Sequence, residues 1–263
     1  MRLPLYHVNA FTTQPFSGNP AAVCPLDRWL DDQFLRKVAA ENNFSATAFL
    51  VQQAGRYELR WFTSRCEIRL CGHATLASAL VIMNILKPDV PVVHFETRWG
   101  GTLTVRRDGE LLVMDFPVLQ AEFVKPPDKL IRAIGTAPPP DHVLQGNDTY
   151  IVVYKDQTAV QDLRPDFALF EALHPFVVAV TARGNDVDFV SRYFAPSYGV
   201  PEDPVTGSVH CALTPYWANR LGKTKLHARQ LSGRDGELWC ELARDRIVLS
   251  GYAVLTMQGE LVI

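Results

Sequence analysis

The sequence predicts an α/β protein made of two related halves. Three observations carry that prediction. Strand-like runs alternate with a few helix-like ones, a proline-rich stretch lies near the middle of the chain, and one strand–loop–helix pattern occurs twice. At 263 residues the chain can fill one large core or two of moderate size.

The segment Leu3 to Phe11 alternates as a strand does, Phe16-Ser17-Gly18-Asn19-Pro20 reads as a turn, and Ala21 to Cys24 resumes extended structure. Asp31 to Asn42 has helical periodicity, with Phe34, Leu35 and Val38 on one face and acidic residues in its first turn. Thr47 to Val51 and Glu58 to Phe62 are short strands. Gly72 to Ile85 is rich in Ala and Leu and apolar nearly all round, which predicts a helix buried inside the fold. Strands follow at Val92 to Glu96, Thr102 to Arg106 and Leu111 to Asp115, with hairpin turns at Gly100-Gly101 and Asp108-Gly109.

Pro117 to Pro140 marks a boundary: Pro126-Pro127 and Pro138-Pro139-Pro140 flank one short helix. The predicted domains are therefore 1–118 and 119–263, with the last strand able to pack on the first domain. The second half repeats the mixture. Strands are predicted near Tyr150 to Tyr154, Val177 to Thr181 and Asp188 to Phe194, then a helix from Thr206 to Leu221. Three or four closing strands turn at Asp235-Gly236 and Gln258-Gly259.

Composition narrows the function classes. With 48% hydrophobic and 21% charged residues the chain is ordinary globular material. A formal charge of −2 and scattered basic residues give no electrostatic reason to expect nucleic acid or an anionic membrane as partner. The longest apolar run, near Ala77 to Met83, is too short to cross a bilayer, and the N-terminus reads as a strand rather than a signal peptide, so a cytoplasmic protein is expected. Five cysteines without Cys-x-x-Cys spacing argue against a disulfide framework and a zinc ribbon. No His/Cys/Asp cluster has metal-ligand spacing, so no metal is expected.

The repeated pattern is the most informative feature. Glu67-Ile68-Arg69-Leu70-Cys71-Gly72-His73 and Glu202-Asp203-Pro204-Val205-Thr206-Gly207-Ser208 share Glu-x-x-x-[Cys/Thr]-Gly-[His/Ser]. Each follows an aromatic strand, Trp61-Phe62-Thr63 or Tyr193-Phe194-Ala195, and each leads into a helix. Glycine allows close backbone approach, and the first amides of a helix are unpaired donors at the positive end of its dipole. Two such starts facing one another would cradle an anion, most naturally a carboxylate. For either loop alone, a glycine that merely permits a tight turn is the simpler explanation.

These residues resemble the phenazine-biosynthesis PhzF-like family, within the diaminopimelate epimerase fold. The match includes Asn9-Ala10-Phe11-Thr12, Phe16 to Val23, Arg60-Trp61-Phe62-Thr63, Leu70 to Ala79, Ser191 to Pro196 and Glu202 to Ser208. The resemblance implies two pseudo-symmetric α/β domains, each a curled mixed sheet around a central helix, with the site in the interdomain cleft. It also implies a homodimer, no metal or organic cofactor, and an isomerase or epimerase that moves a proton on a small carboxylic acid. Asn19, Gly72, His73, Asp203, Gly207 and Ser208 are implied to contact or position the substrate. One departure matters: the family's Asn-Leu-Ser-Glu-Thr-Ala-Phe reads Asn43-Phe44-Ser45-Ala46-Thr47-Ala48-Phe49 here. Ala46 stands where the proton-shuttling Glu is expected and cannot carry a proton.

Three candidates for proton transfer remain. Cys71 occupies the place of one catalytic thiol of diaminopimelate epimerases and proline racemases, and a helix N-terminus favours thiolate; the matching second position is Thr206. Asp203 precedes a helix, where it caps the helix or orients a substrate proton. His73 hydrogen-bonds a carboxylate or transfers a proton near neutral pH. The alternatives to a proton-moving isomerase impaired by Ala46 are a non-catalytic ligand- or partner-binding protein that retained the cleft, and a one-thiol racemase or dehydratase using Cys71.

Overall fold

The computed structural model describes residues 1–53, 55–99, 101–135 and 138–263. The chain divides into two compact units, Met1–Phe116 with Val248–Ile263, and Pro117–Ile247.

In the first unit the strands are β1 (Arg2–Ala10), β2 (Asn19–Leu26), β3 (Ala46–Gln53), β4 (Arg56–Phe62), β5 (Glu67–Ile68), β6 (Val92–Thr97), β7 (Gly101–Asp108) and β8 (Leu111–Pro117). Helix α1 (Asp32–Asn42) joins β2 to β3, and α2 (Gly72–Val81) lies between β5 and β6. The predicted helix to Ile85 changes character after Val81, because Ile82–Leu86 form a π-helical turn. The hairpin expected at Asp108-Gly109 forms, with Gly109 at φ +60°. Gly101 has φ +70°, whereas Gly100, the other half of the expected turn before it, lies outside the described residues.

The second unit carries β9 (Glu122–Val124), α3 (Asp128–Ile134), β10 (His142–Gly146), β11 (Thr149–Val153), α4 (Gln157–Gln161), α5 (Phe167–Glu171), β12 (Val177–Arg183), β13 (Phe189–Ala195) and β14 (Val200–Asp203). Then come α6 (Gly207–Leu221), β15 (Lys225–Gln230) and β16 (Gly236–Ala243); β17 (Arg246–Gly251) spans the boundary, and β18 (Ala253–Val262) belongs to the first unit. The turn expected at Gln258-Gly259 does not form. Both residues lie inside β18, paired with Tyr6 and Leu5 of β1, so ladder hydrogen bonding overrides the local glycine signal.

Taken separately, the units have the same sheet. In the first, neighbouring strands run β18–β1–β2–β3–β4–β6–β7–β8, with β2–β3 and β4–β6 parallel and the other described pairs antiparallel. In the second the order is β9–β10–β11–β12–β13–β15–β16, with β11–β12 and β13–β15 parallel. Each parallel pair needs a crossover, and the second crossover of each unit is a short antiparallel strand (β5 or β14) followed by a buried helix (α2 or α6).

Every residue of α2 is buried. It touches β1, β2, β3, β7 and β18, strands far apart in the sheet order, so the sheet curls around it. On the opposite face of β2 and β3, Ala22, Cys24, Phe49 and Val51 pack against Leu35, Val38 and Ala39 of α1. In the second unit α3, α4 and α5 cover the face that carries Tyr150, Val152, Val178 and Val180. Helix α6 contains Pro215, which cannot donate to the carbonyl of Cys211; the Leu119 N–H fills that place at 3.2 Å.

Candidate functional site

The two helix starts are made the same way. Cys71 precedes α2 with φ −144° and ψ 96°, and Thr206 precedes α6 with φ −114° and ψ 96°. Neither side chain caps its helix, whereas Asp31 accepts from the Gln33 and Phe34 amides at the start of α1. Gly72 and Gly207 are the first helical residues, and neither has a left-handed φ. A turn requirement therefore does not account for either glycine.

Each loop is tied to its preceding strand by a forked ion pair. In the first unit Arg60 of β4 donates from Nε to Glu67 Oε1 at 2.7 Å and from a terminal nitrogen to Oε2 at 2.6 Å. In the second, Arg192 of β13 reaches Glu202 Oε1 at 2.8 Å and Oε2 at 2.9 Å in the same way. The guanidinium carbons lie 5.1 Å from the Phe62 ring centroid and 5.0 Å from that of Phe194. The shared Glu of the sequence pattern thus has a structural partner that the pattern did not include. Hydrogen bonding to Glu67 is the main influence raising the Arg60 pKa.

Around Cys71 the first unit gathers polar side chains from three elements. Asn19 begins β2 and is fully buried. It follows Gly18 at φ +67°, where a Cβ would come within 2.3 Å of the Ala10 carbonyl oxygen, so only glycine can lead the chain there. Ser45, just before β3, donates to Asn19 Oδ1 at 2.5 Å and lies 3.3 Å from His73 Nε2. His73 Nδ1 is 3.4 Å from Cys71 Sγ. Burial pushes the His73 pKa down to about 3. Burial thus favours the neutral ring, which carries one N–H.

Ala46 opens β3 beside this group and is fully buried. Phe49 and Val51 join the α1 core, so strand alternation turns Ala46, Ala48 and Leu50 to the other face, toward α2.

Around Thr206 the second unit builds a different cluster. Thr206 Oγ1 donates to Asp203 Oδ2 at 2.5 Å. Gln230, buried at the end of β15, accepts from the Thr206 amide at 2.8 Å and donates to the Asp203 carbonyl at 2.6 Å. Ser232 also donates to that carbonyl, at 3.1 Å. One turn into α6, His210 donates from Nδ1 to the Thr206 carbonyl at 2.7 Å, and burial lowers its pKa to about 4. Ser208 is half-buried in the first turn of α6.

The structure thus brings Asn19, Ala46, Cys71, Gly72 and His73 together in one unit, and Asp203, Thr206, Gly207 and Ser208 in the other. Sequence reasoning missed Ser45, Gln230 and the two arginines. The arginines left a signal, since each stands directly before the aromatic pair that precedes its loop, and Ser45 stands at the Ser of the family stretch around Ala46. Among the described residues, no group of three or more His, Cys, Asp or Glu side chains could hold a metal ion, and no helix is long and apolar enough to cross a membrane.

The chain is similar to known proteins along nearly its whole length. The PhzC-PhzF family model, described as phenazine biosynthesis-like protein, matches residues 8–259. An uncharacterized isomerase of Pseudomonas aeruginosa is 52% identical, with 99% of each chain covered. The crystal structure of a PhzF-family phenazine biosynthesis protein from Enterococcus faecalis superimposes with a TM-score of 0.93 at 41% identity, covering 100% of both chains. A predicted epimerase from P. aeruginosa shares the fold, with a TM-score of 0.73 at 20% identity and 99% of each chain covered. The fold is that of the diaminopimelate epimerase-like proteins.

Proposed function

The chain belongs to the phenazine biosynthesis-like family, and from that premise we propose that it is an isomerase or epimerase that moves a proton on a small carboxylic acid. The reaction uses no metal or organic cofactor. First-turn helix amides bind the carboxylate and the enolate oxygen formed from it. A base takes the proton from carbon, the electron pair passes into the enolate, and the proton returns to carbon at the same or another position. Asp203, His73 and Ser208 orient the substrate. His73 acts as a neutral ring. We further propose that the protein functions as a homodimer in the cytoplasm.

The observation that carries this reading is the repeated construction of the two helix starts. Each has an Arg–Glu fork, an uncapped extended N-cap and a glycine that its backbone conformation does not require. Position 46 is where the base belongs, and Ala46 leaves the proton without a carrier there. The test is Ala46→Glu, followed by deuterium uptake from D2O into a broad panel of small carboxylic acids. The reading expects uptake to rise in the variant. Absence of any gain across acids that bind the protein would overturn it in favour of a ligand-binding role.

One observation favours a second route. The Cys71 sulfur lies against the neutral His73 ring, 3.4 Å from Nδ1 and 3.9 Å from Nε2. On this route Cys71 is the single thiol of a racemase or dehydratase, and the unsubstituted protein exchanges carbon-bound hydrogen. Loss of that exchange in Cys71→Ala would support the second route; exchange that survives the substitution would exclude it.

A further inference from the structure

His73, Ser45 and Asn19 form a line of side chains whose distances favour one placement of protons. Ser45 Oγ lies 2.5 Å from Asn19 Oδ1, a separation that fits O–H···O and is too short for an amide N–H donor. The Pro20 carbonyl, at 3.4 Å, is the more distant acceptor for the same hydroxyl. A serine hydroxyl has one proton to give, so its oxygen can only accept from His73 Nε2, 3.3 Å away. The ring proton of the neutral imidazole is then on Nε2. This leaves a lone pair on Nδ1; Cys71 Sγ, 3.4 Å from Nδ1 and 3.9 Å from Nε2, lies against the ring face rather than on that lone pair.

We infer that Ser45 is a positioning residue: it holds His73 as the Nε2–H tautomer and thereby leaves Nδ1 as the ring's acceptor. The inference deepens the proposed function and rests on its reading of Cys71 and His73 as site residues. Its consequence is that His73 presents an acceptor, not a donor, from Nδ1. A histidine whose tautomer is fixed by its second hydrogen bond is a general device for setting what its first nitrogen can do.

The test is the ¹⁵N spectrum of the imidazole rings in the full-length protein labelled on histidine, with His73 assigned by the signal lost in His73→Gln. The inference expects the unsubstituted protein at neutral pH to show His73 protonated on Nε2 and bare on Nδ1. Ser45→Ala shifts the two ring nitrogens toward each other as the tautomers mix, and Ser45→Thr, which keeps the hydroxyl, restores the original pair. An Nδ1–H tautomer or an imidazolium in the unsubstituted protein would overturn the inference, as would a spectrum unchanged by Ser45→Ala. Should Ser45→Ala fail to fold, the unsubstituted spectrum and Ser45→Thr still decide. The readout needs no substrate, so its failure is separate from failure of the deuterium-uptake test.

Discussion

At the start of α2 the fork between Arg60 and Glu67 supports a thiol, an imidazole and a hydroxyl. At the start of α6 the matching fork between Arg192 and Glu202 supports a carboxylate bonded to a threonine. The frames agree in sheet order, in the stacking of arginine on phenylalanine and in the helix that follows. The side chains within the frames do not. What was kept between the halves is what the backbone needs in order to place a helix start; what diverged is the chemistry presented there. Unit one holds a thiol, an imidazole and a hydroxyl in contact, and unit two holds a carboxyl group whose loop is braced by Gln230.

Substitutions can break this comparison at several strengths. Removing a fork has the largest effect. Arg192→Gln leaves the Glu202 carboxylate and the Val160 and Leu163 carbonyls without their donor, and lowers unfolding free energy by about 3 kcal/mol. Arg60→Gln should fall in the same range, and urea unfolding of the two variants measures whether the frames are energetically equivalent. A variant pair differing severalfold would mean that the likeness is geometric only.

Gln230→Leu comes next. It strands the Thr206 amide in a buried position, while Ser232 still serves the Asp203 carbonyl, so the cost is about 2 kcal/mol. The effect should be confined to the second unit, which hydrogen exchange at α6 amides can localise.

Acid acts on both units through histidine. His73 and His210 have folded pKa values lowered by burial, to about 3 and about 4, against 6.5 when unfolded. Below pH 6.5 the unfolded chain therefore binds protons that the native chain does not, and stability falls as pH falls, until each folded pKa is reached. At pH 5 each group contributes a loss of about 2 kcal/mol relative to pH 7.5. His73→Gln and His210→Gln should each flatten the pH dependence of the urea midpoint by a similar amount. The smallest effect is Ser232→Ala, about 1 kcal/mol, because Gln230 remains on the same carbonyl.

Much of this comparison was legible in the sequence. The echo around Cys71-Gly72-His73 and Thr206-Gly207-Ser208 located both helix starts, and the all-round apolar run located the buried α2. Ala46 was visible only because a family pattern supplied the residue expected there. Other features were hidden for physical reasons. Gln230 braces a loop that precedes it by a whole helix and strand, a contact no local pattern encodes. Ser45 acts through Asn19 and His73, which come from different elements. The Gln258-Gly259 signal misled because a strand already paired along its length with β1 tolerates a glycine.

The most direct test of the central claim is hydrogen exchange at carbon. With a carboxylic acid that binds the protein, Ala46→Glu in D2O should incorporate deuterium about 100-fold faster than the unsubstituted chain, the lower end of what a positioned general base supplies. Binding without any gain in incorporation would contradict the account, since position 46 would then not be where the proton is moved.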